Sequence, residues 1–289
     1  MLLVCFIWGA NYSITKTALA RIDPIPFAAL RYLVACALLL AVTQVLEPGT
    51  SVPRGSRAAL ALLGVVGNTL NQIAFLSGLK LTTATNASLI FATLPVVVAF
   101  LGTGLGVEVP GPRVRWGIVL GTLGVALVVG ARGLSFSSAT FRGDLLNLLA
   151  VLCWAIFTVG LRHLGQGISA LRLTTFTTLA GTPGLVLAAL PTLGSVPWRS
   201  LGAPVWGALL YSAVFASVVA LILWNRSVQA MGGSRTALFN CVTPIIAGLI
   251  AWVVLGERPL PLQGLGALLV IGGVLVSQGV VRVGRRVTA

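Results

Sequence analysis

Residues Thr85–Gly130, displaced by 149 positions, meet Ser234–Gly279 without a gap. Pro95 falls on Pro244, Glu108 on Glu257, Pro110 on Pro259 and Pro112 on Pro261. Gly117, Gly124 and Gly130 fall on Gly266, Gly273 and Gly279. Nearer the start the repeat continues at a displacement of 146, with Trp8 on Trp154 and Lys16 on Arg162. A duplication of this extent makes the chain two copies of one unit, which we place at residues 1–132 and 143–282.

Composition decides the medium in which the copies fold. Of 289 residues, 57% are hydrophobic and 8% charged, and mean hydropathy is +1.03. A soluble domain carries about 25% charged residues, so this chain lacks the polar groups to cover a water-facing surface. Spanning a hydrocarbon core takes about 20 apolar residues in a helix. Ten such runs stand at roughly 1–20, 26–46, 58–78, 82–106, 113–131, 143–163, 169–190, 204–229, 233–255 and 261–281. The first begins at Met1, has no basic leader or small-residue cleavage site, and reads as a spanning helix rather than a cleaved signal. The expected fold is therefore an all-α integral membrane protein of ten transmembrane helices. Five per copy is an odd number, so the second copy is expected upside down relative to the first.

The net charge of +14 does not indicate a nucleic-acid partner, because the basic residues stand singly or in pairs between apolar runs. Placing both termini in the cytoplasm puts the larger share of Lys and Arg, including Arg282, Arg285 and Arg286, on the inner side. In that count Arg31 is an outer flank, a few residues into the second run. The four cysteines lie inside apolar runs with no short spacing and read as buried free thiols. No metal site, cofactor loop or Ser/His/Asp set is present, so neither a cofactor nor an enzyme is expected. The carboxylates Asp23, Glu47, Glu108, Asp144 and Glu257 all fall near helix ends, which argues against a proton relay built on acids.

The candidate chemistry is uncharged. Trp8, Asn11 and Tyr12 share one helical face in the first run, and Asn68, Asn71, Gln72 and Phe75 share one in the third. Trp154 and Phe157 stand in the sixth run, Trp224 and Asn225 in the eighth, and Phe239 and Asn240 in the ninth. An unpaired amide in lipid costs about 2–7 kcal/mol, so these faces must look inward. Each amide alone reads equally well as glue between helices. Together, the three of the third run read as the wall of a cavity that contacts substrate. Trp8 and Trp154 also fit an interfacial belt, but their mid-run positions favour the interior. Pro95 and Pro244 lie mid-run and each removes a backbone hydrogen bond, giving a kink that suits either a static bend or a hinge. Glu108 and Glu257 read as structural turn residues that cap the N–H groups of the helix that follows each. The fifth and tenth runs carry few polar residues and read as structural or dimer-facing, consistent with a homodimer.

Three passages carry a family resemblance: WGANYSITKTAL, GLKLTTATNASLIFATLP, and SRTALFNCVTPIIAGLIAWVVLGERPLPLQGLGALLVIGGVLV. They resemble the EamA family of the drug/metabolite transporter superfamily, in two copies over essentially the whole chain. The first copy departs from the pattern, with Val107-Glu108-Val109 where a Gly-Glu-Arg turn is usual. The resemblance implies two inverted five-helix halves around a central cavity. It also implies secondary transport, by export, of small metabolites such as amino acids across a bacterial inner membrane. The alternatives within transport are drug efflux and carriage of nucleotide sugars or sugar phosphates. The implied partners are a small-molecule substrate and the lipid bilayer.

Overall fold

The computed structural model describes residues 1–49, 51–82, 84–130, 138–255 and 261–278. Glu257 and the C-terminal arginines lie outside the described residues. Those described form helices and short connections, with no strand among them. In order they are α1 (Leu2–Ala18), α2 (Pro24–Leu46), α3 (Arg54–Leu81), α4 (Ala84–Phe91), α5 (Leu94–Gly104) and α6 (Pro112–Gly130). Then come α7 (Ser138–Leu164), α8 (Ala170–Leu193), α9 (Ala203–Met231), α10 (Gly233–Leu238), α11 (Thr243–Leu255) and α12 (Pro261–Gln278).

Six described segments are long and apolar enough to cross a membrane: Pro24–Leu46, Arg54–Leu81, Phe141–Leu164, Ala170–Leu193, Ala203–Met231 and Gly233–Ile250. Their termini follow local chemistry. α2 opens with Asp23 at the cap position and Pro24 in its first turn, where a missing N–H costs nothing. α8 opens on Ser169, whose hydroxyl accepts from the Arg172 N–H at 3.1 Å. Large apolar side chains face outward, Phe100 at 77% exposure, Leu187 at 66% and Trp116 at 60%. Such a surface fits lipid, and the protein is a multi-pass membrane protein.

The fourth and ninth runs are each two helices rather than one kinked one. Pro95 has no N–H for the Phe91 carbonyl, and the Val96 N–H turns to Thr93 at 3.0 Å instead of reaching Ala92. α4 therefore stops at Phe91 and α5 starts at Leu94. In the ninth run a 3₁₀ turn, Phe239–Val242, separates α10 from α11 just before Pro244. The freed carbonyls of one break are taken by side chains of the other. Asn240 donates to the Phe91 carbonyl at 3.3 Å, and the Cys241 thiol to that of Ala92 at 3.4 Å. Both pairs are 149 residues apart, the displacement of the repeat.

The same displacement recurs through the packing. A Cβ on Gly124 of α6 would lie 2.5 Å from the Gly266 carbonyl of α12, and one on Gly273 2.7 Å from the Gly117 carbonyl. Exchange the copies and each contact becomes the other. Gly121 of α6 faces Leu238 and Cys241 instead. Lys16 donates to the Leu79 carbonyl at 2.6 Å and to that of Lys80 at 3.1 Å. Arg162 donates to those of Val228 (3.5 Å) and Gln229 (2.5 Å), the matching positions 149 residues on. Each cation thus closes the C-terminal carbonyls of a long helix in its own copy.

Glu108 caps a different helix from the one that follows it. Its carboxylate accepts from the N–H groups of Gly233 (2.6 Å) and Ser234 (3.1 Å), at the start of α10 in the other copy. The neighbouring Gly232 makes this fit. It has φ +90°, and the Glu108 oxygens lie 2.9–3.0 Å from where its Cβ would stand.

Candidate functional site

At the centre lies a cavity that offers about 70 Å³ to the centres of water-sized molecules. α1 contributes Trp8, Asn11 and Tyr12, and α3 contributes Asn71, Gln72 and Phe75. α7 contributes Trp154, and α9 contributes Ala216, Ser217 and Leu221. Phe91 and Asn240 enter from the two helix breaks, and Arg31 and Tyr32 from α2. Three pairs of positions matched by the repeat line the cavity together: Trp8 with Trp154, Gln72 with Leu221, and Phe91 with Asn240.

Local backbone geometry aims several of these groups. α3 carries a π-helical turn at Val65–Leu70, and α9 one at Ser212–Val219. The Asn71 N–H reaches Val66 O in the first, and the Ala220 N–H reaches Phe215 O in the second, again matching positions. The extra residue per turn shifts side chains out of α-helical register. Asn68, inside the turn, therefore leaves the face it would share with Asn71 and Gln72. It donates to Thr177 O at 2.9 Å and accepts from the Tyr32 hydroxyl at 3.3 Å, holding α3 to α8 and α2. Asn71 donates to Ala150 O at 2.8 Å and accepts from Gln72 Nε2 at 2.9 Å. In α9, Ala216 O accepts from the Trp8 indole at 3.2 Å, and the Ser212 hydroxyl donates to Asn11 Oδ1 at 2.6 Å.

The aromatic residues form two groups. Tyr12, Phe75 and Phe91 meet edge to face, with ring centres 5.2–6.5 Å apart. Trp8, Trp154 and Trp224 form the other, at 5.1–5.9 Å. Trp224 is wholly buried behind the other two and does not line the cavity. Phe157 stacks on Trp154 at 5.0 Å and fills the space left by Gly67. Asn225 donates to Thr174 at 2.8 Å, joining α9 to α8, and the Phe239 carbonyl accepts from the Cys5 thiol at 3.2 Å.

Of the residues expected on the wall, then, Trp8, Asn11, Tyr12, Asn71, Gln72, Phe75, Trp154 and Asn240 line it. Asn68, Phe157, Trp224, Asn225 and Phe239 stand behind it or between helices. The wall also holds residues the sequence reading passed over. Arg31 is the main one: it is 2% exposed, donates to Gln72 Oε1, and lies 5.2 Å from the Tyr32 ring centre. Its position eight residues into α2, well past any helix end, was the available signal. No carboxylate lines the cavity among the described residues. Asp23 pairs with Lys80 at 2.5 Å and Glu47 accepts from Ser169 at 2.6 Å, both at the ends of α2, and Asp144, seven residues into α7 rather than at its end, accepts from Thr82 at 2.7 Å. The four cysteines are buried and free. His163 is exposed at the end of α7.

The model of the EamA-like transporter family matches residues 1–130 and again 141–278. The uncharacterized transporter YyaM of Bacillus subtilis is 30% identical over 279 residues, covering 95% of this chain and 91% of its own. A transporter of Archaeoglobus fulgidus is 30% identical over 277 residues, covering 95% of this chain and 94% of its own. A solved crystal structure superposes with a TM-score of 0.79 at 18% identity, over 97% of this chain and 96% of that one, and so shares the fold. With matches in both copies and relatives aligned nearly end to end, the chain belongs to the EamA-like transporter family.

Proposed function

We propose that the protein is a secondary transporter that exports small metabolites such as amino acids across a bacterial inner membrane by alternating access. Ten spans form two inverted halves, with both termini in the cytoplasm. The observation that carries this reading is the placement of the cavity between matched positions of the two copies. A wall shared by two related halves can open to either side as one half rocks on the other. Pro95 and Pro244 supply the hinges, because the breaks they cause lie against the cavity and against each other.

The size of the cavity favours a small metabolite. A water needs about 10–15 Å³ of the same measure, so the space holds roughly five to seven waters. That is the bulk of an amino acid, and well below the about 300–1,000 Å³ of sites for drug-sized ligands. Amides and aromatic rings suit such a substrate, the amides by hydrogen bonding its polar end and the rings by packing on its apolar part.

Purified protein in proteoliposomes tests this. Uptake of labelled amino acids is expected for the wild type, with a loss of at least about tenfold, or about 1.4 kcal/mol, in Asn71→Ala or Gln72→Ala. Full uptake by both variants would contradict the assignment of the site. No uptake of any amino acid would contradict the substrate class.

A further inference from the structure

Arg31 is the one cation on the cavity wall among the described residues, and no acid there balances it. It sits about 10 Å along α2 at 1.5 Å per residue. One nitrogen donates to Gln72 Oε1, an uncharged acceptor, while its Nε is buried without any hydrogen-bond partner. An arginine buried in this way is costly, and in a membrane segment such residues face partners or substrate paths. The fold has not turned it to a glutamate or to a helix C-terminus, as it has turned Lys16 and Arg162 to carbonyls.

We infer that Arg31 binds the carboxylate of the transported substrate, which takes the place of the Gln72 amide oxygen on the guanidinium. This rests on the transport reading above and narrows its substrate to small molecules with a free carboxylate, amino acids among them. The planar guanidinium presents paired N–H donors that match the two oxygens of a carboxylate. One positive charge neutralises one carboxylate. A phosphate ester carries a charge of about −1.5 to −2, and would leave a net negative charge in the cavity with no second cation to meet it. The apolar part of the ligand then lies on the edge-to-face cluster of Tyr12, Phe75 and Phe91. Gln72 holds Arg31 between transport events, and Asn71 holds Gln72.

The test uses full-length protein and a defined panel: the twenty amino acids, their carboxamides, inorganic phosphate and glucose 6-phosphate. Binding is read from tryptophan fluorescence, since Trp8 and Trp154 line the cavity, and transport from uptake in proteoliposomes. Wild-type protein is expected to bind acids at least about tenfold more tightly than the matching amides. Arg31→Gln removes that difference, and Arg31→Lys keeps part of it. Gln72→Glu keeps the fold independent of this loss. It places a permanent acid on Arg31, should keep or raise thermal stability, and should abolish binding of free acids. Equal binding of acids and amides by wild type, a preference for the phosphates, or normal acid binding by Gln72→Glu would each overturn the inference. Uptake of amides without any uptake of acids would also overturn it while leaving transport standing. No uptake of any compound would remove the transport reading itself.

Discussion

Several packing contacts of the frame obey the repeat, whereas the wall of the cavity departs from it. In the frame, residues 149 apart do the same work. Gly124 and Gly273 admit the same backbone approach, and Leu79 and Val228 offer the same carbonyl to a cation. On the wall, matched positions carry different chemistry. Gln72 corresponds to Leu221, Asn71 to Ala220 and Phe91 to Asn240, and at a displacement of 146 Tyr12 corresponds to Thr158 and Arg31 to Thr177. Only the Trp8 and Trp154 pair keeps its residue type. A duplicated chain needs symmetric packing so that two related arrangements are close in energy. A ligand without a two-fold axis needs an asymmetric wall. The two regions therefore answer to different requirements within one fold.

Perturbing the frame should give matched effects. Gly124→Ala and Gly273→Ala each push a methyl group against a backbone carbonyl, 2.5 and 2.7 Å from the ideal Cβ position. Each is expected to cost about 1–3 kcal/mol, with near-equal drops in thermal midpoint in detergent. Unequal drops would break the symmetry of the frame. Glu108→Gln replaces a carboxylate that accepts from two N–H groups with an amide whose single oxygen can serve only one well. A loss of about 1–2 kcal/mol is expected, and hydrogen exchange should show it at Gly233 and Ser234 of α10 before it shows at α6. Protection lost first in α6 would return Glu108 to the helix that follows it. The smallest effect belongs to Lys16→Met and Arg162→Met, each expected to cost about 0.3–1 kcal/mol as a lost C-terminal cation. Thermal unfolding of the two variants should agree within that range.

Much of the frame was legible in the sequence. The repeat, the apolar runs and the buried thiols could be read directly from the sequence, and so could a disturbance at Pro95 and Pro244, though as a kink rather than as the break between two helices that each run shows. Glu108 was legible as a cap, but its helix was not, because the N–H groups it meets lie 125 residues on in the chain. The wall was legible as a set of residue types rather than as an arrangement. The π turns at Val65–Leu70 and Ser212–Val219 have no residue signature, and they decide that Gln72 enters the cavity while Asn68 turns to α8. Arg31 reads as a helix flank when basic residues are counted by side. It reads as part of a site only when its depth is weighed against its lack of an acid.

The most direct measurement exchanges the chemistry of one matched pair on the wall. Proteoliposome uptake is compared for Gln72→Leu and Leu221→Gln, using the amino acid that the wild-type protein takes up fastest from a mixture of all twenty. An asymmetric site in a symmetric frame predicts a loss of at least about tenfold, or about 1.4 kcal/mol, for Gln72→Leu, because it removes the amide from the wall and leaves Arg31 unpositioned between transport events. Leu221→Gln should stay within about threefold of wild type. Equal losses in the two variants would contradict the account.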